Sequence, residues 1–359
     1  MHHNPRHRSQ HGLTLVELMI AMTLGLIVIA ALVAIFTTSN QNYRQNEAIA
    51  SVQDNARFAL DALSRDLAMA GYWGGVRPAD AALNIPVSAA ARNAVAKASA
   101  TGDCGPATQA ADYFWLFDVS TPLVFRNHKD NNTGSTAVNA DFSCLLPANV
   151  QADTDVLMIR RVSGSTALTD DGSGAVGALT SGRFYVKTNQ NSGALFQAGS
   201  SFDRSGPSDC PDSSGISAVC PPTSTPVQVY AYTPQIYYIR NYLRTPGDGL
   251  PILCRRYLDD SVAPASMKED CLAEGVENLQ IEWGIGAATV DNYLPNPSAA
   301  QLLKARTARI HIIVRATSKN VQASSDAKTF TLADYTSPTQ GGVLRRAFTT
   351  TVQLKNFQP

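Results

Sequence analysis

The sequence predicts an α+β protein in which one long N-terminal helix packs on a large antiparallel β-rich head. Residues 18–36 carry no charge and are almost entirely apolar, and the polar stretch after them repeats an apolar residue every three or four positions. From about residue 73 onward, short β-like runs alternate with clusters of Gly, Pro, Ser and Asn. The 29 basic residues balance the 29 acidic ones, so the overall charge gives no indication of a nucleic-acid partner.

The uncharged stretch is long enough to cross a membrane. At about 1.5 Å per residue it spans roughly 28 Å, close to the ~30 Å thickness of a bilayer's hydrocarbon core. Arg6 and Arg8 precede it and Arg44 is the first charge after it, so we expect a cytoplasmic N-terminus and a translocated head. A cleaved secretory signal is the alternative, but the run is longer than usual and no small-x-small site follows it. We therefore predict a single span.

The helix is expected to continue beyond this span. No Pro occurs between residue 14 and Gly71, and Gly25 is the only Gly in that stretch, so one helix from about residue 14 to residue 70 is the simplest interpretation. We predict a transmembrane half over residues 13–36 and an amphipathic half over residues 37–72. The apolar stripe of the amphipathic half comprises Ile49, Val52, Ala56, Leu60, Leu63 and Leu67.

The head is predicted to occupy residues 73–359 and to contain mainly antiparallel strands. A helix is expected at 297–308, and surface loops are expected at 163–182 and 199–226. The nine β-like runs lie at 112–119, 155–162, 182–188, 226–232, 235–242, 251–258, 276–285, 308–316 and 347–357.

All six cysteines lie beyond the span, and a location outside the cytoplasm favours disulfides. Fifteen connectivities are possible, and pairing of sequence neighbours is the arrangement we favour. A zinc site is the alternative, but the sequence has no C-x-x-C and no His at ligand spacing. The neighbouring pairs are Cys104–Cys144, Cys210–Cys220 and Cys254–Cys271.

Glu17 is a carboxylate at the start of the apolar run. One interpretation is that the Glu17 side chain extends to the membrane interface, because a charge near the end of a span costs less free energy than one at its centre. The bond between Gly12 and Leu13 offers another, since a small residue followed by an apolar one is a natural cleavage point. Cleavage there would give Leu13 a new amine and make Glu17 the fifth residue. That carboxylate could then neutralise the amine of a neighbouring helix and set the register between subunits.

The segment GLTLVEL, residues 12–18, resembles the class III signal of type IV prepilins and type II secretion pseudopilins. The resemblance implies that a prepilin peptidase cuts after Gly12 and methylates the amine of Leu13. It also implies that Glu17 guides docking into a growing filament, and that residues 1–12 are a leader peptide. The expected fold is then type IV pilin-like.

Four further segments resemble PilW-type minor pilins: RDLAMAGYWG (65–74), EGVENLQ (274–280), ARIHIIVRA (308–316) and LRRAFTTTVQLKN (344–356). This resemblance implies an inner-membrane protein with a periplasmic head that later joins the pilus, at or near its tip, and helps to prime pilus growth. The implied partners are other minor pilins, the major pilin, the prepilin peptidase, the inner-membrane assembly platform and a large tip adhesin. No cofactor, metal, catalytic residue or nucleic acid is expected.

The same residues are compatible with other functions. The nearest alternative is a J-like minor pseudopilin of a type II secretion system, and a membrane-anchored enzyme or adhesin is more distant. Catalysis is not expected, because His128 has no evident partner, His311 should be solvated, and no G-x-S-x-G or P-loop occurs. Acidic residues at 170–172 and 209–212 could bind Ca²⁺, but they lack EF-hand spacing, so plain surface loops are favoured.

Overall fold

The computed structural model describes residues 12, 14–76, 104–105, 115–127, 129, 142–170, 175–188, 193–199, 227–261, 265–286, 289–317 and 327–357. These residues form one long helix and a head of antiparallel sheets. The predicted α+β fold class is therefore confirmed.

Helix α1 runs without interruption over Leu15–Ala68, 54 residues, and is therefore about 80 Å long. The side chains of its first half are exposed and no other described part of the chain covers them, whereas its second half packs on the head. Within the predicted stripe, Ile49 and Leu60 are half-buried and the remaining residues are buried: Val52, Ala56, Leu63 and Leu67. The helix ends at Ala68 with Met69 as its C-cap, and Gly71 follows with a φ of 69°, a left-handed conformation that suits glycine at a helix end.

The described strands and the second helix follow in chain order. They are β1 (Leu123–Arg126), β2 (Val156–Ile159), β3 (Val162–Asp170), β4 (Ala175–Gly177), β5 (Phe184–Thr188), β6 (Gly193–Gln197), β7 (Val227–Tyr232), β8 (Gln235–Arg240), β9 (Ile252–Asp259), β10 (Ser266–Glu274), β11 (Val276–Ile285), β12 (Asn292–Leu294), the short helix α2 (Ala299–Leu302), β13 (Ala305–Arg315), β14 (Thr331–Leu332), β15 (Tyr335–Thr336) and β16 (Arg345–Gln353).

These strands form three main sheets and a small hairpin. Sheet A has the order β1-β2-β8-β9-β10, sheet B the order β12-β11-β13-β16, and sheet C the order β4-β3-β7-β5-β6. Strands β14 and β15 form the hairpin. The pairings are antiparallel throughout these sheets.

Sheet A is the middle layer of the head, because apolar side chains cover both of its faces. Successive side chains of a strand point to opposite faces, so each strand supplies two cores. Leu157 and Tyr237 join the core that contains the α1 stripe and sheet B. Met158 and Tyr238, the next residues along, join the second core with Trp73 and strands of sheet C. The continuously apolar runs of β2 and β8 follow from this double burial.

Several predicted elements were wrong in detail. Residues 115–117, expected within a strand, form a 3-10 turn, and residues 112–114 lie outside the described part. The run 155–162 is broken at Arg160 and Arg161, where the chain leaves sheet A and enters sheet C. Much of the expected loop at 163–182 is strand instead, because its polar residues pair through their backbones with β7.

The predicted helix at 297–308 is also shorter than expected. Only α2 is helical, and β13 already begins at Ala305 because this residue pairs with β11. The last run ends as a strand at Gln353 and continues as a 3-10 turn over Lys355–Phe357. Residues 200–226, most of the second expected loop, lie outside the described residues. Besides β3 and β4, which occupy much of the expected loop at 163–182, the prediction missed the following described strands: β1, β6, β10, β12, β14 and β15.

Candidate functional site

The first half of α1 presents an apolar surface that nothing in the described chain covers. Its large apolar side chains are mostly more than half exposed, from Leu15 at 73% to Phe36 at 68%. Of the described helices, α1 alone is long and apolar enough to span a membrane, and none of its most apolar window is buried. A contiguous apolar surface of this length needs a membrane or another protein to cover it.

The N-terminal end of this surface is organised by Thr14 and Glu17. The Thr14 side chain accepts a hydrogen bond from the Glu17 backbone N–H at 3.3 Å. In return, Glu17 Oε2 accepts from the backbone N–H and the hydroxyl of Thr14, each at 2.9 Å. This reciprocal capping box satisfies polar groups at the first turn. The Glu17 carboxylate is thus held by its own chain at the tip of the helix.

The predicted cleavage site lies immediately before this cap. Gly12 is exposed, and a Cβ atom added there would have no atom within 4 Å. Leu13 lies outside the described residues. Cleavage after Gly12, methylation of Leu13 and docking through Glu17 therefore stay predictions.

At the other end of α1, an ion pair that the sequence did not predict joins the helix to the head. Asp66 is 5% exposed, and its Oδ1 accepts from Arg161 Nη2 at 2.6 Å and from Nε at 3.1 Å. Its Oδ2 accepts from the hydroxyl of buried Tyr237 at 2.5 Å. Burial, and then the neighbouring Asp66 carboxylate, raise the pKa of Tyr237, so the hydroxyl keeps its proton. We call Asp66, Arg161 and Tyr237 the helix–head joint.

The turn that follows α1 strengthens this joint through its backbone. Gly71 N–H donates to the carbonyl of Arg160 at 3.0 Å, and Val162 N–H donates to the carbonyl of Tyr72 at 3.0 Å. A side-chain amide from near the C-terminus, that of Asn356, donates to the carbonyl of Ala70 at 3.0 Å. The helix end is therefore fixed at the point where β2 passes into β3.

Within the described residues, two of the expected disulfides between sequence neighbours are present, Cys104–Cys144 and Cys254–Cys271. The second joins directly opposed residues of β9 and β10. Glu269 lies close enough to Cys254 and Cys271 for the three side chains to share a metal ion. Both sulfur atoms are in the disulfide, however, and Arg240 Nη1 forms an ion pair with Glu269 Oε1 at 2.8 Å. Cys210 and Cys220 lie outside the described residues.

His311 is half-buried on the outer face of sheet B, so the expectation that it is solvated was wrong. Its Nε2 lies 3.1 Å from Glu282 Oε2, and its Nδ1 lies 2.9 Å from Thr349 Oγ1. Arg309 Nη1 donates to the same Glu282 oxygen at 3.3 Å. These contacts join β11, β13 and β16 across the sheet face. Strand register explains these contacts, because Arg309 stands opposite Glu282 and His311 stands opposite Thr349. The contact between His311 and Glu282 is diagonal, since Gln280 is the residue opposite His311. His128, Asp171, Gly172 and the acidic stretch at 209–212 lie outside the described part.

Comparison with known proteins gives two family matches. The family described as type IV pilus-assembly protein W matches residues 236–356, and the prokaryotic N-terminal methylation motif matches residues 7–33. Both describe pilin-type proteins rather than an enzyme family. The pilus-assembly match covers β9 to β16 and all but the first residue of β8, and so includes the whole of sheet B.

One curated relative is the pilin-like protein PilA3 of Thermus thermophilus. It is 35% identical over 66 residues, which are 18% of this chain and 28% of that protein. The chain therefore matches less than a third of the length of this relative. No solved structure matches.

Proposed function

The chain belongs to the PilW type of type IV pilus minor pilins, and from this premise we propose that it assembles at or near the pilus tip and helps to prime pilus growth. In this proposal it is made as a prepilin, cut after Gly12 and methylated at Leu13 by a prepilin peptidase. The proposed parts are a leader at 1–12, a membrane segment at 13–36, an amphipathic segment at 37–72 and a head at 73–359.

The observation that carries this proposal is the contrast between the two halves of α1. A single unbroken helix is apolar and largely exposed over its first half and attached to a folded head over its second. When such a subunit leaves the bilayer, the apolar half of α1 stays out of water only if helices of other subunits take the place of the lipid. Lateral assembly with other pilin helices provides that replacement.

We propose the following path. The chain first sits in the inner membrane with a single span, a cytoplasmic N-terminus and a periplasmic head. It then contacts the assembly platform, other minor pilins and the major pilin, and a large tip adhesin is a further proposed partner. In the free subunit the Glu17 carboxylate is satisfied by Thr14, and on assembly it would turn to the amine of a neighbouring subunit.

The first experiment measures the mass of the N-terminal peptide of protein purified from its native membrane. The proposal expects a peptide that begins at methylated Leu13. A peptide that retains residues 1–12, or one that begins after about residue 34, contradicts prepilin processing and leaves an ordinary anchor or a secretory signal.

Two substitutions separate cleavage from assembly. Gly12→Phe should leave the chain uncleaved, and Gly25→Ala is the matched control because a Cβ there also meets no atom within 4 Å. Glu17→Ala should permit cleavage but reduce filament assembly. A Glu17→Ala chain that supports normal piliation would contradict the role of this carboxylate in register.

The alternative is a J-like pseudopilin of a type II secretion system. Deletion of the gene distinguishes the two functions: loss of surface filaments with normal secretion of protein substrates supports the pilus. Loss of secretion with normal filaments would establish the pseudopilin instead.

A further inference from the structure

We propose that β16 is an open sheet edge that pairs, during filament assembly, with an extended segment of another pilin subunit. This inference rests on the proposed function, since it names the surface of the head that a neighbouring subunit occupies. Within the described residues, β16 pairs with β13 along one side and stands at the end of sheet B.

The orientation of its backbone follows from the hydrogen bonds at its two ends. Leu354 N–H donates to the carbonyl of Arg306 at 2.8 Å, and the carbonyl of Leu344 accepts from Ala316 N–H at 2.9 Å. Even-numbered residues of this segment therefore direct their N–H and C=O groups toward β13, and the intervening residues direct theirs away from it. The exposed residues of this second set are Ala347, Thr349, Thr351 and Gln353.

This edge lacks the features that normally prevent strand addition. Residues 347–353 contain no charge, Pro or Gly, and the pairing with β13 continues over nine residue pairs without a shift in register. The opposite edge of sheet B, β12, has only three residues. A long, regular and uncharged edge is a template for another strand.

The edges of sheets A and C are protected by contrast. In sheet A, β1 has four residues, and β10 carries Lys268, Glu269 and Asp270 together with a break in register. In sheet C, β4 has three residues, and four of the five residues of β6 are buried. Among the described edges, β16 is therefore the one suited to strand addition.

The position of β16 identifies the partner. Its inner face carries Val352, a member of the core that contains the α1 stripe, and half-buried Phe348, which packs against that core. The open edge thus belongs to the strand that packs beneath the amphipathic half of α1. In the proposed assembly other pilin subunits cover the apolar half of the same helix, so we infer that one of them is also the occupant of this edge.

The chemistry of the edge limits the segment that can bind. Arg345 is buried and its guanidinium donates to Glu277, so the first residue of the strand is already engaged. The available part, residues 347–353, offers outward backbone groups at intervals of about 6.8 Å. A partner segment of about seven residues, extended and free of Pro and charge, would satisfy these groups.

The test uses the full chain in its native host. Thr351→Pro removes an outward N–H and leaves the even-numbered residues that bond β13 unchanged, and Thr351→Ala is the matched control. We expect both variants to be cleaved like the wild type, but recovery of Thr351→Pro in sheared filaments to fall at least tenfold. Equal recovery of the two variants would overturn the proposal. An uncleaved wild-type chain would instead contradict the proposed function, so the two failures are distinguishable.

A second measurement does not depend on the folding of a variant. Residue-resolved hydrogen exchange compares the wild-type chain as a detergent-solubilised monomer and within filaments. The amides of Thr349 and Thr351 should exchange rapidly in the monomer and become protected in the filament, while that of Thr350 stays protected in both. Equal exchange in the two states refutes the proposal. Protection already present in a detergent-solubilised dimer would identify a second copy of this chain as the partner and would also overturn it.

Discussion

Replacement of Asp66 by alanine tests whether the helix–head joint holds α1 in place. The substitution removes the carboxylate that accepts hydrogen bonds from the guanidinium of Arg161 and the hydroxyl of Tyr237. Asp61, five residues earlier on the same helix, provides a matched control. Its carboxylate also pairs with an arginine, Arg65, at 2.5 Å, but the two side chains are 58% and 75% exposed.

The expected difference between the variants is large because burial differs. Loss of one partner of a buried ion pair typically costs about 3–5 kcal/mol. The Arg161 side chain is 16% exposed and recovers some hydration, so we expect about 3 kcal/mol for Asp66→Ala. Asp61→Ala should cost about 0.5 kcal/mol or less, as is usual for exposed pairs. The gain in helix propensity from Asp to Ala is the same in both variants and cancels in the comparison.

Urea unfolding of the full chain in detergent measures the difference through tryptophan fluorescence. Trp73 is a suitable reporter, because it is 1% exposed, lies five residues after the end of α1 and stacks on Tyr232 with ring centroids 6.2 Å apart. With a denaturant slope of about 3 kcal/mol/M, the midpoint of Asp66→Ala should fall about 1 M below that of Asp61→Ala. Tyr237→Phe removes only the hydroxyl donor and should cost about 2 kcal/mol.

Midpoints of Asp66→Ala and Asp61→Ala within about 0.2 M of each other would refute this reasoning, because that interval corresponds to about 0.6 kcal/mol. Such a result would mean that the apolar stripe alone holds the helix. A low midpoint for Asp66→Ala together with a wild-type midpoint for Tyr237→Phe would assign the effect to Arg161 alone.

Three further predictions concern the head. Four backbone N–H groups, led by those of Arg244 and Leu250, hold the pKa of Asp248 at about 2, below its ordinary 3.8. Its stabilisation of loop 243–250 is therefore complete above the ordinary pKa and is lost as the pH falls through about 2. Cleavage of this loop by pepsin should accelerate in the wild type as the pH falls from 3.8 to about 2. In Asp248→Asn the cleavage should already be fast at pH 3.8. Gly275→Ala should lower the thermal midpoint with a cost above about 1 kcal/mol, because φ is +74° and the new Cβ would collide with the carbonyl of Arg315. Gly247→Ala, also at positive φ but in open space, should cost less. Joint replacement of Cys254 and Cys271 by alanine should cost about 3 kcal/mol in urea, and a reducing agent should then have no further effect through this pair.

The sequence was most informative where one periodicity extends over a long segment. The stripe of α1 recurs at helical spacing, and the structure buries it as predicted. Strand β11 occupies the predicted run 276–285 without change, since its alternate residues Leu279, Ile281 and Trp283 all enter one core. In both elements local pattern and tertiary burial agree.

Elements with polar sequences were missed because their strand conformation depends on distant partners. Strand β10 reads SMKEDCLAE and has no apolar alternation, yet it pairs with β9 along nearly its whole length. Strand β3 reads VSGSTALTD and pairs with β7, whose register shifts twice along it. Backbone hydrogen bonds impose these conformations where side chains indicate a loop.

The helix–head joint was missed for a related reason. Arg161 follows Asp66 by 95 residues, and the spacing of charges within α1 gives no sign of this contact. One signal was available, however. Asp66 lies three residues after Leu63 and beside Leu67, so it stands on the apolar stripe itself rather than on the charged faces. A charge on a face that packs on the head requires a partner there, even when the sequence cannot identify it.

The helix–head joint also determines how the open edge of β16 is oriented relative to α1. Apolar contacts are non-directional, so neither the exposed half of α1 nor its buried stripe determines the angle at which the head sits. Hydrogen bonds and ion pairs depend on direction, and the molecule concentrates them at the end of α1, around Asp66 and Gly71. A head fixed at that point holds β16 at a constant angle to the helix axis. In the proposed assembly, the neighbouring pilin subunit would then meet this edge at a defined angle.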